Sequence, residues 1–146
     1  MKLLKVSTRV SPDDEGFVRM SGLVERKTGE QFEIWFEVPR ELEADLARSG
    51  NPWLVAMLPY ALETGEVIVC EIAADAALLE NLKGLVAVWC EWYPQLIAPS
   101  FEVPLAPIGA ISAQGSRTAA FFSGGIDSWF TVLRHAPELE LSLIHI

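Results

Sequence analysis

The sequence predicts an α+β domain followed by the beginning of an α/β unit. Three observations favour this fold class: segments of alternating hydrophobicity near the start, two apolar helical segments in the middle, and a short apolar strand joined by a glycine pair to a helix near the end. The chain has 146 residues and is 51% hydrophobic. That composition is too apolar for a disordered protein, and the length suffices for a core without metals or disulfides.

The first 40 residues predict an antiparallel meander. Residues 3–10 and 17–25 are rich in β-type side chains, and the polar connector between them contains Pro12 and Gly16. Residues 31–38 alternate with a period of two, as a half-buried strand does. The apolar members of that alternation are Phe32, Ile34, Phe36 and Val38.

Two helices are predicted after the meander. Residues 40–48 indicate a short helix. Asn51 as N-cap and Pro52 at the first helical position then predict a helix over residues 53–58. This second helix is apolar all round, so we expect it to be buried. Pro59 is expected to kink or end it.

A fourth strand and the longest helix follow. Residues 66–72 favour a strand, and Asp75 is expected to cap a helix that reaches about Tyr93. The helix carries an apolar stripe, which we interpret as a core face and not as a ligand-stacking surface. Its members are Leu78, Leu82, Leu85, Trp89 and Trp92, with Tyr93 beside them.

The amino-acid composition changes at residues 94–115, where prolines and glycines cluster and charged residues are nearly absent. This indicates a linker that holds one short strand around residues 101–103. The sequence therefore predicts an α+β domain of unknown role over residues 1–112 and an incomplete second domain over residues 116–146.

Charge and cysteine content exclude several classes of protein. Twenty acidic side chains against 11 basic ones give a net charge of −9, which argues against binding nucleic acid through phosphate neutralisation. Cys70 and Cys90 stand far apart without a CxxC pattern, as core thiols in a reducing compartment do. No signal peptide is visible, and no apolar stretch approaches the length of a membrane span. We expect a cytoplasmic protein whose oligomeric state the sequence leaves open.

A chemistry-bearing motif lies between two predicted strands. Residues 118–122 favour a buried parallel strand, residues 127–135 a helix and residues 139–146 a second strand. Gly124 and Gly125 fall in the turn, where they can take positive φ and let backbone N–H groups approach a ligand. The helix start favours an anion there, so the turn is a phosphate cradle without a lysine.

The side chains of this turn add further groups. Ser123 and Ser128 bracket it with hydroxyls, and Asp127 fits either an N-cap or a Mg²⁺ ligand. Other glycine-loop motifs are absent from the sequence: GxxxxGK[ST], GxGxxG and GxSxG all fail. His135 and His145 have no acidic or serine partner at a recognisable spacing.

The turn resembles a known family. Ser123, Gly124, Gly125, Ile126, Asp127 and Ser128 match all six positions of the SGGxDS signature of the PP-loop ATP pyrophosphatases. That superfamily includes the asparagine-synthetase C-terminal domain, NAD and GMP synthetases, 7-cyano-7-deazaguanine synthase and tRNA thiolation enzymes. The resemblance covers only about residues 117–146, and it implies a Rossmann-like (HUP-type) domain of adenine nucleotide alpha hydrolase type.

The resemblance also implies an activity. ATP would bind with its pyrophosphate portion on the turn, a carboxylate, amide or carbonyl oxygen of the substrate would attack the α-phosphorus, and Mg²⁺ would neutralise charge on the leaving group. We expect the substrate to be a small acid or amino-acid-like compound. Pyrophosphate would leave, and a nitrogen or sulfur nucleophile would then displace AMP, as in a ligase or amidotransferase. Lys2 stands where glutaminase-bearing relatives have a cysteine, so glutamine hydrolysis is not expected.

The domain implied by the resemblance needs more strand–helix units than residues 116–146 provide. We therefore expect the sequence to be the front part of a longer, truncated protein, inactive on its own. The alternative is a non-catalytic nucleotide-binding or protein-interaction module.

Overall fold

The computed structural model describes residues 1–106, 118–122, 124–135 and 139–144. The chain divides into two compact units, Met1–Ile111 and Ser112–Ile146. The first unit has an α+β fold with a mixed five-stranded sheet, which confirms the predicted class for this part of the chain.

The sheet of the first unit contains five strands: β1 (Lys2–Val10), β2 (Phe17–Glu25), β3 (Gln31–Pro39), β4 (Ile68–Val69) and β5 (Phe101–Glu102). Their spatial order is β3-β2-β1-β4-β5. β1, β2 and β3 pair antiparallel, which confirms the predicted meander. β4 joins β1 in parallel and β5 joins β4 in parallel. The fourth strand is thus shorter than the predicted 66–72.

Two α-helices cover one face of the meander: α1 (Asn51–Thr64) and α2 (Ala76–Trp92). Trp53 of α1 is fully buried, and its ring lies edge-on to Phe36 at 5.6 Å between centroids. The ring also lies directly over Gly22 of β2, where a Cβ atom would be only 2.5 Å from it. The absence of a side chain at position 22 is what lets α1 approach the sheet.

Helix α1 is longer than predicted. It continues through Pro59 to Thr64 and ends at Gly65, whose φ of 70° is left-handed. Pro59 lies on the exposed face, so its missing N–H costs one hydrogen bond at the solvent side while the buried face continues without interruption. The predicted N-cap is also wrong: Gly50 takes that position, and the Asn51 side-chain oxygen accepts from the Asp75 N–H at 2.9 Å.

Helix α2 begins as predicted, because the Asp75 carboxylate accepts from the Ala77 N–H at 2.8 Å. The predicted core stripe is only partly right. Leu85 is exposed, and Trp92 is 68% exposed. Most positions of α2 are apolar, so the apolar residues can be assigned to more than one face. The helix buries Leu79, Leu82 and Val86, with Leu78 and Trp89 half-buried against the core and Tyr93 exposed.

The segment after β3 is a 3₁₀ helix over Arg40–Asp45, not the α-helix predicted for residues 40–48. It buries none of its residues and carries three carboxylates against one arginine. Without an apolar face to bury, a short acidic segment gains little from continuing as a regular helix.

The first part of the predicted linker belongs to the first unit. The Ile97 N–H donates to the Leu62 carbonyl at 2.7 Å, and the Cys70 N–H donates to the Glu102 carbonyl at 3.0 Å. The strand expected around residues 101–103 is β5. Within residues 94–106, β5 forms the far edge of the sheet, and Ile97 ties the preceding segment to the end of α1.

The described part of the second unit is a strand–helix–strand unit: β6 (Thr118–Phe122), α3 (Ile126–His135) and β7 (Leu139–Ile144). β6 and β7 pair in parallel. The order of elements and the parallel pairing are those that the sequence predicted for this region.

Candidate functional site

The candidate site is the 123–128 loop, which follows β6 and leads into α3. A parallel strand that ends in a glycine turn and a helix start brings unpaired backbone N–H groups to the carboxyl edge of the sheet. Ser123, predicted to contribute a hydroxyl, lies outside the described residues. The other five predicted residues, 124–128, are described.

Gly124 has the left-handed φ of 78° that the sequence allowed for the loop glycines. Within the described loop, Gly124 is the residue with positive φ. Gly125 does not adopt the positive φ that was predicted as possible for both glycines. A Cβ at position 124 would meet nothing within 4 Å. The constraint on this position is therefore its backbone conformation and not a lack of space.

The hydrogen bonds at the helix start assign a capping role to Gly125. Its carbonyl accepts from the Trp129 N–H at 3.0 Å and from the Ser128 hydroxyl at 2.8 Å. α3 begins at Ile126, so Asp127 lies inside the first turn, and the N-cap alternative for Asp127 is wrong. The Ser128 hydroxyl is turned onto the loop backbone, where it fixes the helix start.

Asp127 is exposed at the positive end of the helix dipole. Among the described residues there is no group of three or more His, Cys, Asp or Glu side chains that could hold a metal ion. Mg²⁺ usually takes one or two protein carboxylates together with waters and substrate phosphates. A single exposed carboxylate therefore fits Mg²⁺ that arrives with a nucleotide.

Helix α3 also carries an exposed apolar stripe. Ile126 is 87% exposed and Trp129 51% exposed, and Phe130 and Leu133 continue the same face. At the other end, Arg134 and His135 lie in the last turn, where cations complement the dipole. The surface position expected for His135 is confirmed.

A second polar site lies in the first unit, and no sequence motif predicted it. The Met1 ammonium is buried and donates to Glu66 Oε2 at 2.9 Å and to the Val67 carbonyl at 2.6 Å. The Lys27 N–H reaches the same Glu66 oxygen at 2.9 Å. Burial alone would raise the pKa of Glu66, but these hydrogen bonds outweigh it and lower that pKa. Because Met1 and Glu66 are 65 positions apart, only the fold brings them together.

The outer face of the meander holds an ion network. Arg19 is nearly buried, donates to Glu37 at 2.7 Å and to Asp13 at 2.5 Å, and stacks over the Trp35 ring at 4.3 Å. A hydrogen bond from the Ser11 hydroxyl, followed by that from Arg19, lowers the pKa of Glu37. The geometry is that of a closed structural network, with each charged group satisfied by another.

Cys70 is buried and Cys90 half-buried, and both are free, in line with the predicted thiols. Burial raises the pKa of the Cys70 thiol, which makes it a poor nucleophile. In the parts of the chain that the structure describes, no helix is long and apolar enough to cross a membrane.

Comparison with known proteins gives no match. No protein-family model, no curated protein and no solved structure is significantly similar to this chain. The function must therefore be argued from the residues and the geometry of the loop.

Proposed function

We propose that the 123–128 loop binds the phosphates of ATP, and that the protein uses ATP to adenylate a small substrate. The proposal assigns the second unit to a Rossmann-like PP-loop domain. A cytoplasmic location goes with it, because ATP is available there and the two free thiols suit a reducing compartment.

The observation that carries this proposal is the coincidence of a six-residue signature with a matching backbone. Ser123 to Ser128 fit the SGGxDS pattern in sequence, and the loop lies between a parallel strand and a helix. Gly124 adopts the left-handed conformation that such a turn needs. A chance serine–glycine turn would explain the composition of the loop but not its position in a β–α–β unit.

The chemistry follows from where positive potential is available. The N–H groups of Ile126 and Asp127 belong to the first turn of α3, which lacks intrahelical acceptors. They would hold phosphate oxygens while an oxygen of the substrate attacks the α-phosphorus. Asp127 would help to hold the Mg²⁺ that comes with the nucleotide, and that ion would supply neutralisation of the charge on the leaving pyrophosphate. A small carboxylate or amino-acid-like substrate supplies the attacking oxygen.

Isothermal titration of ATP and Mg²⁺ into the protein tests binding. The double variant Ser123→Ala with Asp127→Asn should weaken binding by at least about tenfold, because hydrogen bonds to charged phosphates and the metal ligand are lost. Ser100→Ala with Asp45→Asn makes the same changes at exposed positions of the first unit and should leave binding unchanged. Equal affinity in both double variants would refute the assignment of the loop.

A second candidate function is a non-catalytic nucleotide-binding or interaction module. The exposed stripe of Ile126, Trp129, Phe130 and Leu133 favours it, because apolar stripes of this kind often contact other macromolecules. Release of pyrophosphate from ATP with small carboxylates present separates the two. ATP binding without any turnover across such substrates favours the module, whereas substrate-dependent release favours the enzyme.

A further inference from the structure

The free edge of the sheet at β3 exposes a row of backbone groups. The Arg26 N–H donates to the Glu30 carbonyl and the Arg40 N–H to the Gly16 carbonyl, both at 2.9 Å. These two bonds lie at the two ends of the β2–β3 pairing. Hydrogen-bonded pairs alternate along antiparallel strands, so the even-numbered residues of β3 are the ones whose backbone groups bond to β2. The odd-numbered ones, including Glu33, Trp35 and Glu37, direct their N–H and C=O groups away from the sheet.

These outward groups have no backbone partner within the described residues. The edge runs for nine residues, far longer than the two-residue strand at the opposite side of the sheet. Unpaired edges of this length are templates for an added strand, and they are usually restricted by charge.

The side chains on this edge determine which kind of strand can pair with it. Glu33, Trp35 and Glu37 project on the outer face of the sheet, so two carboxylates flank a tryptophan that is 49% exposed. Antiparallel pairing of two copies centred on Trp35 would set Glu33 against Glu37 of the second copy at both ends. Like charges directly opposite each other destabilise a strand pair, and each chain also carries a net charge of −9.

The surroundings strengthen the same charge. The β1–β2 turn lies beside the end of β3, and the 3₁₀ helix follows β3 directly. Two cations lie on this face: Arg19 pairs with Glu37 and Asp13, and Arg9 pairs with Glu33 at 3.7 Å. The surplus of negative charge therefore comes from the other carboxylates of the turn and the 3₁₀ helix. Exposed carboxylates in the turn and the 3₁₀ helix are Asp13, Asp14, Glu15, Glu41, Glu43 and Asp45, against the exposed Arg40.

We propose that the β3 edge binds an extended, basic segment of another protein as an additional strand. Main-chain hydrogen bonds to Glu33, Trp35 and Glu37 supply the pairing. Lysines or arginines of the added strand meet the exposed Glu33 and the carboxylates of the neighbouring turn and 3₁₀ helix, and an intervening residue packs on Trp35. The same carboxylates that oppose self-pairing thus select a partner of opposite charge.

Hydrogen exchange with a synthetic probe tests the pairing. The probe is a peptide of alternating lysine and threonine, about nine residues long to match β3. On binding, the N–H groups of Glu33, Trp35 and Glu37 should become protected, while those of Ile34 and Phe36, already bonded to β2, should not change. A peptide of the same composition with its lysines in one block should protect them less. Binding without protection at these three positions would overturn the proposal.

Charge variants test the selectivity. Glu33→Gln with Glu41→Gln and Glu43→Gln should weaken binding about tenfold at low salt, since each exposed charge pair contributes modestly. Glu63→Gln with Glu80→Gln and Glu91→Gln removes the same charge from the helices and should have little effect. Equal weakening in both triple variants would reduce the interaction to non-specific attraction and contradict the proposal.

The oligomeric state gives an independent check. Sizing chromatography without peptide should show that the β3 charge variant dimerises more readily than its control variant, because carboxylates that oppose pairing of two copies have been removed. A dimer of the unaltered protein whose Glu33, Trp35 and Glu37 N–H groups are protected without any peptide would show that a second copy occupies the edge, and would refute the proposal.

Discussion

Helices α1 and α3 show what an apolar pattern does and does not predict. α1 is apolar on nearly all sides and is buried against the meander, with Trp53 only 1% exposed. α3 has a sharply defined apolar stripe, yet Ile126 on that stripe is 87% exposed. An apolar pattern identifies the helix face that tends to be buried. Whether other residues bury that face depends on parts of the fold that are distant in sequence.

The comparison is most sharply tested by the same substitution in both helices. Trp53→Ala should lower the free energy of unfolding of the first unit by about 3–5 kcal/mol, because it opens a cavity in the core. Trp129→Ala, at a position that is 51% exposed, should change stability by less than about 0.5 kcal/mol. Urea unfolding monitored by circular dichroism measures both. A large effect of Trp129→Ala would mean that the α3 stripe is covered in solution.

A second prediction concerns how close α1 lies to the sheet. Gly22→Ala should destabilise the first unit by about 1–3 kcal/mol, since the new Cβ would overlap the Trp53 ring. Gly84→Ala provides the matched control on α2, where a Cβ meets nothing within 4 Å. There the change should stabilise by up to about 1 kcal/mol through helix propensity. Opposite signs in thermal unfolding are expected, and two destabilising changes would contradict this packing.

Pro59 gives a smaller effect. Pro59→Ala should stabilise α1 by about 1 kcal/mol, because alanine restores a main-chain donor and suits a helix interior. Pro52→Ala is the control: proline is well tolerated in the first turn, so its removal should bring no comparable gain. The midpoints of thermal unfolding distinguish the two. A loss of stability in Pro59→Ala would show that the proline is needed for the path of the helix.

The smallest expected effect is on acid stability. Hydrogen bonds from the Met1 ammonium and the Lys27 N–H lower the pKa of Glu66 in the folded state. The resulting stabilisation is present above the ordinary pKa of glutamate and is lost as the pH falls through the lowered, folded-state value. Glu66→Gln should therefore flatten the acid limb of the stability profile, and the exposed Glu63→Gln should not. Parallel profiles for both variants would contradict this role.

Elements that depend on neighbouring residues were predicted correctly. The alternation of Phe32, Ile34 and Phe36 was sufficient to predict the strand β3, and Asp75 was sufficient to predict where α2 begins. The continuation of α1 beyond Pro59 was not predicted. It depends on Pro59 lying on the solvent-exposed side of the helix, and the sequence pattern does not show which side that is. Trp92 was assigned to the core for a similar reason: α2 is apolar in so many places that tertiary packing chooses the face.

The candidate site was also predicted only in part. Positive φ was predicted as possible at both loop glycines, and within the described loop Gly124 adopts it. The helix start could not be fixed to within one residue, and Asp127 proved to lie in the first turn. The role of Glu66 was not predicted, because its partner Met1 lies 65 positions away in the sequence. The free edge of β3 was not predicted, because the sequence pattern does not give the order of strands in the sheet.

The parallel bond between the Val69 N–H and the Met1 carbonyl has a consequence for the order of folding. Both hairpins of the meander involve neighbouring segments and close cheaply, whereas β4 must return over more than sixty residues to reach β1. During synthesis the meander can therefore pair early, leaving the far side of β1 open until β4 emerges. That interval is when the nascent chain is most exposed to association with other unfinished chains.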